Sequence, residues 1–257
     1  MKKSTNIGDR LYSFFLIILL IILWQISLEL GWINDYVLPY PIDIIKTFYS
    51  IRMDILDNLY ITLQEAIIGL TIAIMIAVII GTLMDLYSKV KKALFPLLLI
   101  SQTVPVILLA PLFAMWFGFG ITPKIIVVVI TCFFPIVISL NQGLEKVDVD
   151  KVNLLKTMGA SKYQIYKIVK LPSSLFDFFS GLKVAATYSF MGAVISEWMG
   201  GRKGLGIYFL RAKKSFDINR VFVVVLVIII ISILIYYGVS LLQDLTTKWQ
   251  KKSSKKI

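Results

Sequence analysis

Residues 156–174 read KTMGASKYQIYKIVKLPSS and lie between two long apolar runs. Upstream, Asp150 is placed to cap a short helix, and Gly159 supplies the left-handed residue that commonly ends one. Ser161 and Gln164 form the S-x-x-Q capping box that starts a second helix. There Ile165, Ile168 and Val169 fall on one face, with Tyr163, Lys167 and Lys170 roughly opposite. Pro172 cannot continue the hydrogen-bond ladder and biases Leu171 away from helical geometry, so the pattern predicts that this elbow stops there. A helix-turn-helix so short and so charged lies on a membrane surface rather than across it. The residue pattern alone leaves open an interfacial helix held by anionic lipid.

The surrounding chain explains why a membrane is invoked. Of 257 residues, 58% are hydrophobic and 16% charged, a bias well outside the usual globular mix. The single cysteine, Cys132, has no partner in the chain and histidine is absent, so neither a disulfide nor a His-rich metal site is expected. No GxxxxGK[ST] stretch occurs, so any nucleotide motor belongs to another chain, and no catalytic residue is assigned to this one. The net charge of +12 gathers at the ends of apolar runs, which fits membrane topology and anionic headgroups rather than nucleic acid.

The expected fold is an all-α integral membrane protein of about six transmembrane helices, with a cytoplasmic elbow between spans four and five. The spans are Leu11–Leu28, Leu59–Met84, Ala93–Trp116, Ile121–Leu140, Phe178–Trp198 and Val221–Leu242. Residues 1–257 form one domain with a basic tail over 243–257. Lys2, Lys3, Arg10, the loop with Lys89, Lys91 and Lys92, the elbow and the tail lysines all fall on one side, which the positive-inside rule makes cytoplasmic, together with both termini. The opposite loop, Glu29 to Asn58, is acidic. One outer loop conflicts with the rule, carrying Arg202, Lys203, Arg211, Lys213, Lys214 and Arg220; it reads as a solvated face or as a docking surface for an acidic partner.

Gly159, nine residues, Val169, Lys170 and Leu171-Pro172 resemble the "EAA" loop of binding-protein-dependent ABC importer permeases. The likeness extends outward through VPVILLAPLFAMWFGFGITPKIIVV and FFPIVISLNQGL before the loop, and GLKVAA and VISEWMGGRKGLGIYFL after it. It covers about Asp54 to the last span and is similar to the branch importing nitrate, taurine, aliphatic sulfonates and pyrimidine precursors of thiamine. The letters EAA are replaced by Asn153, Leu154 and Leu155. The resemblance implies that these three residues, with Gly159, Ala160, Ser161, Val169, Leu171 and Pro172, engage a cytoplasmic ABC ATPase that binds ATP and Mg. It also implies an extracytoplasmic binding protein, a second copy of the permease, membrane lipid as solvent and a plasma-membrane location. SEWMGGRKGLGIYFLRAKKSFD is most similar to hydroxymethylpyrimidine and thiamine-precursor importers, with sulfonate, taurine or nitrate as the other cargoes.

Polar groups at membrane depth mark where cargo passes, and Gln102, Thr103, Asn141 and Glu197 are the candidates, with Pro105 breaking a helix between Pro96 and Pro111 to line the path. Glu197 reads equally as a gate or loop-stabilising group and as a solvated one. Gln64 and Glu65 read as interfacial, and Lys183 as a snorkelling side chain. The rival function is a secondary transporter or channel without an ATPase, which would need ionisable residues within the spans.

Overall fold

The computed structural model describes residues 7–248, so Lys2, Lys3 and most of the basic tail, expected on the cytoplasmic side, lie outside the described residues. Its elements are α1 (Ile7–Glu29), α2 (Pro41–Leu86), α3 (Ser88–Ser101), α4 (Val106–Phe117), α5 (Ile121–Glu145), α6 (Val149–Thr157), α7 (Lys162–Ile165), a π-helical turn (Tyr166–Lys170), α8 (Leu171–Glu197), α9 (Leu205–Lys214) and α10 (Ile218–Thr246). No strand occurs among the described residues. Four helical runs are long and apolar enough to cross a membrane: Pro41–Leu86, Ile121–Glu145, Lys162–Glu197 and Ile218–Thr246. The α3–α4 pair, bent by 100°, adds a fifth if counted as one span, and Phe14–Glu29 is a shorter apolar helix.

Two expectations change. The acidic segment after Glu29 is a loop only as far as Tyr40, because Pro41, with its fixed φ and missing N–H, opens the 46-residue α2. Lys89, Lys91 and Lys92 likewise belong to the first turns of α3 rather than to a loop.

The described residues fall into two compact units, within Met1–Leu56 plus Phe209–Val227 and within Asp57–Tyr208 plus Ile228–Ile257. In the first, Trp24 anchors the chain, its indole Nε1 donating to the Pro39 carbonyl at 3.1 Å and its ring tilted against Phe222. Leu28, Ile44, Ile51 and Ile55 are buried there, while α1 presents Leu16, Leu20 and Leu23 outward, as a lipid-facing helix does.

The second unit is built on α5 and α8. A Cβ at Gly192 would meet Val128 and Thr131, one at Gly181 would meet Pro135 and Ser139, and one at Gly143 would meet Ser174 and Asp177. Falling numbers on one helix against rising numbers on the other make the pair antiparallel. Small residues permit this approach, the usual basis of helix association in lipid, where no hydrophobic drive separates protein from solvent. Cys132 Sγ adds a bond to the Ala185 carbonyl at 3.2 Å. Between α2 and α5 the register rises together, Gly69 against Val128 and Gly81 against Leu140, so those helices are parallel. The bent α3–α4 pair therefore carries the chain back from the end of α2 to the start of α5. Lys183 Nζ lies 5.7 Å from the Tyr236 ring centre, so a ring of α10 as well as solvent receives this cation.

Replacing Gly181 with Val forces a side chain into the Pro135 carbonyl and Ser139, and overpacking of this kind costs about 1–3 kcal/mol. The expected result is a lower thermal midpoint, read by fluorescence-detected size exclusion, with Gly238→Val as the control because nothing lies within 4 Å of a Cβ there.

Candidate functional site

The elbow forms from local chemistry. Asp148, rather than Asp150, caps α6 by accepting the Asp150 amide at 3.0 Å; Asp150 instead supplies negative charge to the first turn. Gly159 has φ +79°, its N–H donates to Lys156 O and the Ala160 N–H to Leu155 O, both at 3.0 Å, which is the Schellman closure of a helix. Ser161 Oγ accepts from Gln164 N at 3.3 Å while Gln164 Oε1 accepts from Ser161 N at 2.7 Å, completing the capping box.

Past α7 the expectation fails. Leu171 has φ −60° and ψ −50°, and α7 runs through the π turn into α8 without a stop. The Leu171 N–H donates to Tyr166 O, five residues back; this wider ladder removes the clash that Pro172 would make with the carbonyl four residues before it, so proline sits in the first turn of α8. The extra residue also shifts the expected face: Ile165 is buried, Val169 half-buried and Ile168 59% exposed. Asn153, Leu154, Met158 and Tyr163 are exposed, with Leu155 and Ala160 half-buried.

Polar contacts fasten this rod to the rest of the second unit. Lys170 Nζ reaches both Asp85 oxygens at 2.8 Å, and the Tyr166 and Thr82 hydroxyls bond at 3.0 Å, tying the π turn to the end of α2. Lys146 pairs with Asp177 at 2.6 Å between α5 and α8, and Lys91 with Glu145 between α3 and α5.

At the other end of α5 lies a second polar cluster. Lys124 Nζ donates to Glu65 Oε1 at 2.6 Å, with Lys124 and Glu65 8% and 1% exposed. Thr62 donates its hydroxyl to Glu197 Oε1 at 2.7 Å and accepts the Leu205 amide at 2.9 Å. Gly206 N–H donates to Glu197 Oε2 at 2.5 Å and Gly204 N–H to Asn58 Oδ1 at 2.8 Å. A Cβ at Gly204 or Gly206 would collide with the Glu197 carboxylate, so the two glycines let the loop wrap it. This corrects one reading, since Glu65 is buried and ion-paired rather than interfacial, and decides between the two alternatives for Glu197, which is fully buried and holds a loop rather than being solvated. Gln64 is exposed, as an interfacial side chain is. From Lys124 to Lys146 the α5 axis rises about 33 Å, close to the ~30 Å hydrocarbon core, so the two clusters flank one bilayer thickness.

Between them, at the α3–α4 bend, is a cavity of about 310 Å³. The break falls at Gln102–Pro105, whereas Pro96 and Pro111 lie inside helices. Gln102 lines the cavity with Ser101, Thr131, Phe134, Pro135 and Tyr188; Thr103, Pro105, Asn141 and Glu197 are not among its lining residues. Asn141 is buried and donates to Met84 Sδ at 3.7 Å, a packing contact between α5 and α2. No cluster of three or more metal-ligating side chains occurs among the described residues.

The family model described as "Binding-protein-dependent transport system inner membrane component" matches residues 69–252. The formylaminopyrimidine transport permease protein ThiX of Halalkalibacterium halodurans is 35% identical over 98% of this chain and 100% of its own length. The riboflavin transport system permease protein RibX of Chloroflexus aurantiacus is 30% identical over 91% and 88%, and the putative aliphatic sulfonates transport permease protein SsuC of Bacillus subtilis 28% identical over 90% and 84%. An inward-facing MetNI methionine ABC transporter structure superposes with a TM-score of 0.69 at 16% identity, covering 77% of this chain and 98% of that one, which is a likeness of fold.

Lys124→Ala strands two buried carboxylates without their cation, a loss of about 3–5 kcal/mol. The thermal midpoint of the purified permease should fall sharply, and Lys124→Met combined with Glu65→Gln and Glu197→Gln should recover at least half of the drop.

Proposed function

The chain belongs to the family of binding-protein-dependent transport system inner membrane components, permease subunits of ATP-driven importers, and from that premise we propose how this one is driven and what it carries. The elbow α6–α7 docks against a cytoplasmic ABC ATPase, which binds ATP and Mg and hydrolyses the nucleotide. What supports this most is one observation: a surface helix pair with exposed Asn153, Leu154, Met158 and Tyr163 continues unbroken into α8 and is clamped to α2 through Lys170 and Asp85. Movement imposed on the elbow then passes to the spans as a rigid body. Gly159, Ala160 and Ser161 aim the second half of the elbow, and the run Val169, Leu171 and Pro172 joins it to the span.

On this reading both termini and the elbow face the cytoplasm, a second copy of the chain completes the translocation path, and an extracytoplasmic binding protein delivers cargo to the opposite face. The last turn of α9 bears Arg211, Lys213 and Lys214, a surface suited to an acidic receptor. The cargo is a pyrimidine precursor of thiamine; the length and extent of the match to the formylaminopyrimidine permease support it over sulfonate, taurine or nitrate.

Gly159→Val places a β-branched side chain at φ +79°, a strain of about 1–2 kcal/mol that misaims α7 while leaving the spans inserted. Transport-coupled ATP hydrolysis should fall while membrane abundance holds; wild-type uptake in this variant would remove the elbow from the drive train. For orientation, a cysteine replacing Lys162 in a Cys132→Ala background should resist impermeant thiol reagents in intact cells, and labelling from outside would reverse the topology.

A further inference from the structure

The cavity at the α3–α4 bend contains the chemistry to choose between cargo classes. Its volume, about 310 Å³, lies at the lower end of small-molecule sites. Its polar groups are neutral: the Ser101 hydroxyl, the Gln102 amide, the Thr131 hydroxyl and the Tyr188 phenol. The Gln102 amide offers two donors and one acceptor. Thr131 donates to the Val127 carbonyl at 2.7 Å, which leaves its oxygen able to accept. Two flat apolar surfaces, Phe134 and the Tyr188 ring, share the wall with Pro135 and aliphatic side chains. Among the described residues, no Lys, Arg, Asp or Glu lines it.

An anion entering such a site loses its water without gaining a counter-charge, whereas a neutral ring with exocyclic amine and hydroxyl groups exchanges water hydrogen bonds for protein ones and stacks its faces. The nearest cation on the same helix, Lys124, is engaged by Glu65 and lies about two turns before Thr131, outside the lining. We propose that this cavity is a cargo subsite for uncharged, nitrogen-bearing aromatic rings, and that it rejects sulfonates and other small anions independently of any receptor. The proposal rests on the permease reading and on cargo passing Gln102.

The test uses the permease co-purified with its ATPase in lipid nanodiscs at pH 8, with a cysteine at the aliphatic lining residue, Val104→Cys, in a Cys132→Ala background. Alkylation by N-ethylmaleimide is timed with 4-amino-5-hydroxymethyl-2-methylpyrimidine, with ethanesulfonate, or with neither. The pyrimidine should slow alkylation at least five-fold and ethanesulfonate should not. Adding Thr131→Lys should transfer protection to ethanesulfonate. Protection by ethanesulfonate at the level of the pyrimidine without that lysine, or by neither compound, overturns the class assignment. Separately, maleimide treatment of cells bearing Val104→Cys should stop uptake; continued uptake at full labelling means that cargo does not pass the α3–α4 bend, a failure of the path reading distinct from a failure of the class.

Discussion

Close backbone approach between α5 and α8 is the constraint on which the second unit depends. Glycines at 143 and 181 set the separation, and with Gly192, Cys132 and Ala185 they fix the register of two antiparallel helices. In lipid this packing has to come from shape, since apolar side chains gain nothing by leaving one hydrocarbon for another. Once the register is fixed, both ends follow. Lys146 meets Asp177 at one end, and at the other Lys124 meets Glu65 beside Glu197. The α3–α4 bend is placed by the same frame, because its cavity is walled by α5 and α8 through Thr131, Phe134, Pro135 and Tyr188.

What the sequence disclosed was local. The left-handed Gly159 and the Ser161–Gln164 box are written within a few residues of each other, and the structure contains both as expected. Helix class and the apolar spans follow from composition and run length. The expectation for Pro172 fails for an equally local reason: it carries proline's α-helical penalty, whereas a ladder with five-residue spacing removes the offending carbonyl. Nothing in the residues 166–170 announces such a turn.

The polar clusters were hidden because their partners are far apart in the chain. Thr62 and Glu197 are 135 residues apart, Glu65 and Lys124 59, Asp85 and Lys170 85. Read singly, Glu65 at the end of an apolar run suggests an interface and Lys124 after a proline suggests nothing. A usable signal was present in their similar depth: each ionisable residue sits inside the edge of an apolar run, and opposite charges buried at one level require each other. Tyr188 and Thr131 carried no signal at all, since a hydroxyl on a membrane helix costs little when it bonds to its own backbone, as Thr131 does.

The absence of a stop at Pro172 has a mechanical consequence. Lys162–Glu197 is a single helical run of 36 residues, about 54 Å from end to end. One end is the surface helix of the elbow and the other is the carboxylate that grips Gly206. A stiff shaft of that length amplifies rotation: pivoting by 10° about one end sweeps the other through roughly 9 Å, by the rise of 1.5 Å per residue. The glycine-wrapped carboxylate is therefore where a small rotation about the elbow end becomes the largest displacement along the shaft. A hinge at the proline would have absorbed that rotation near its origin; the wide turn passes it on.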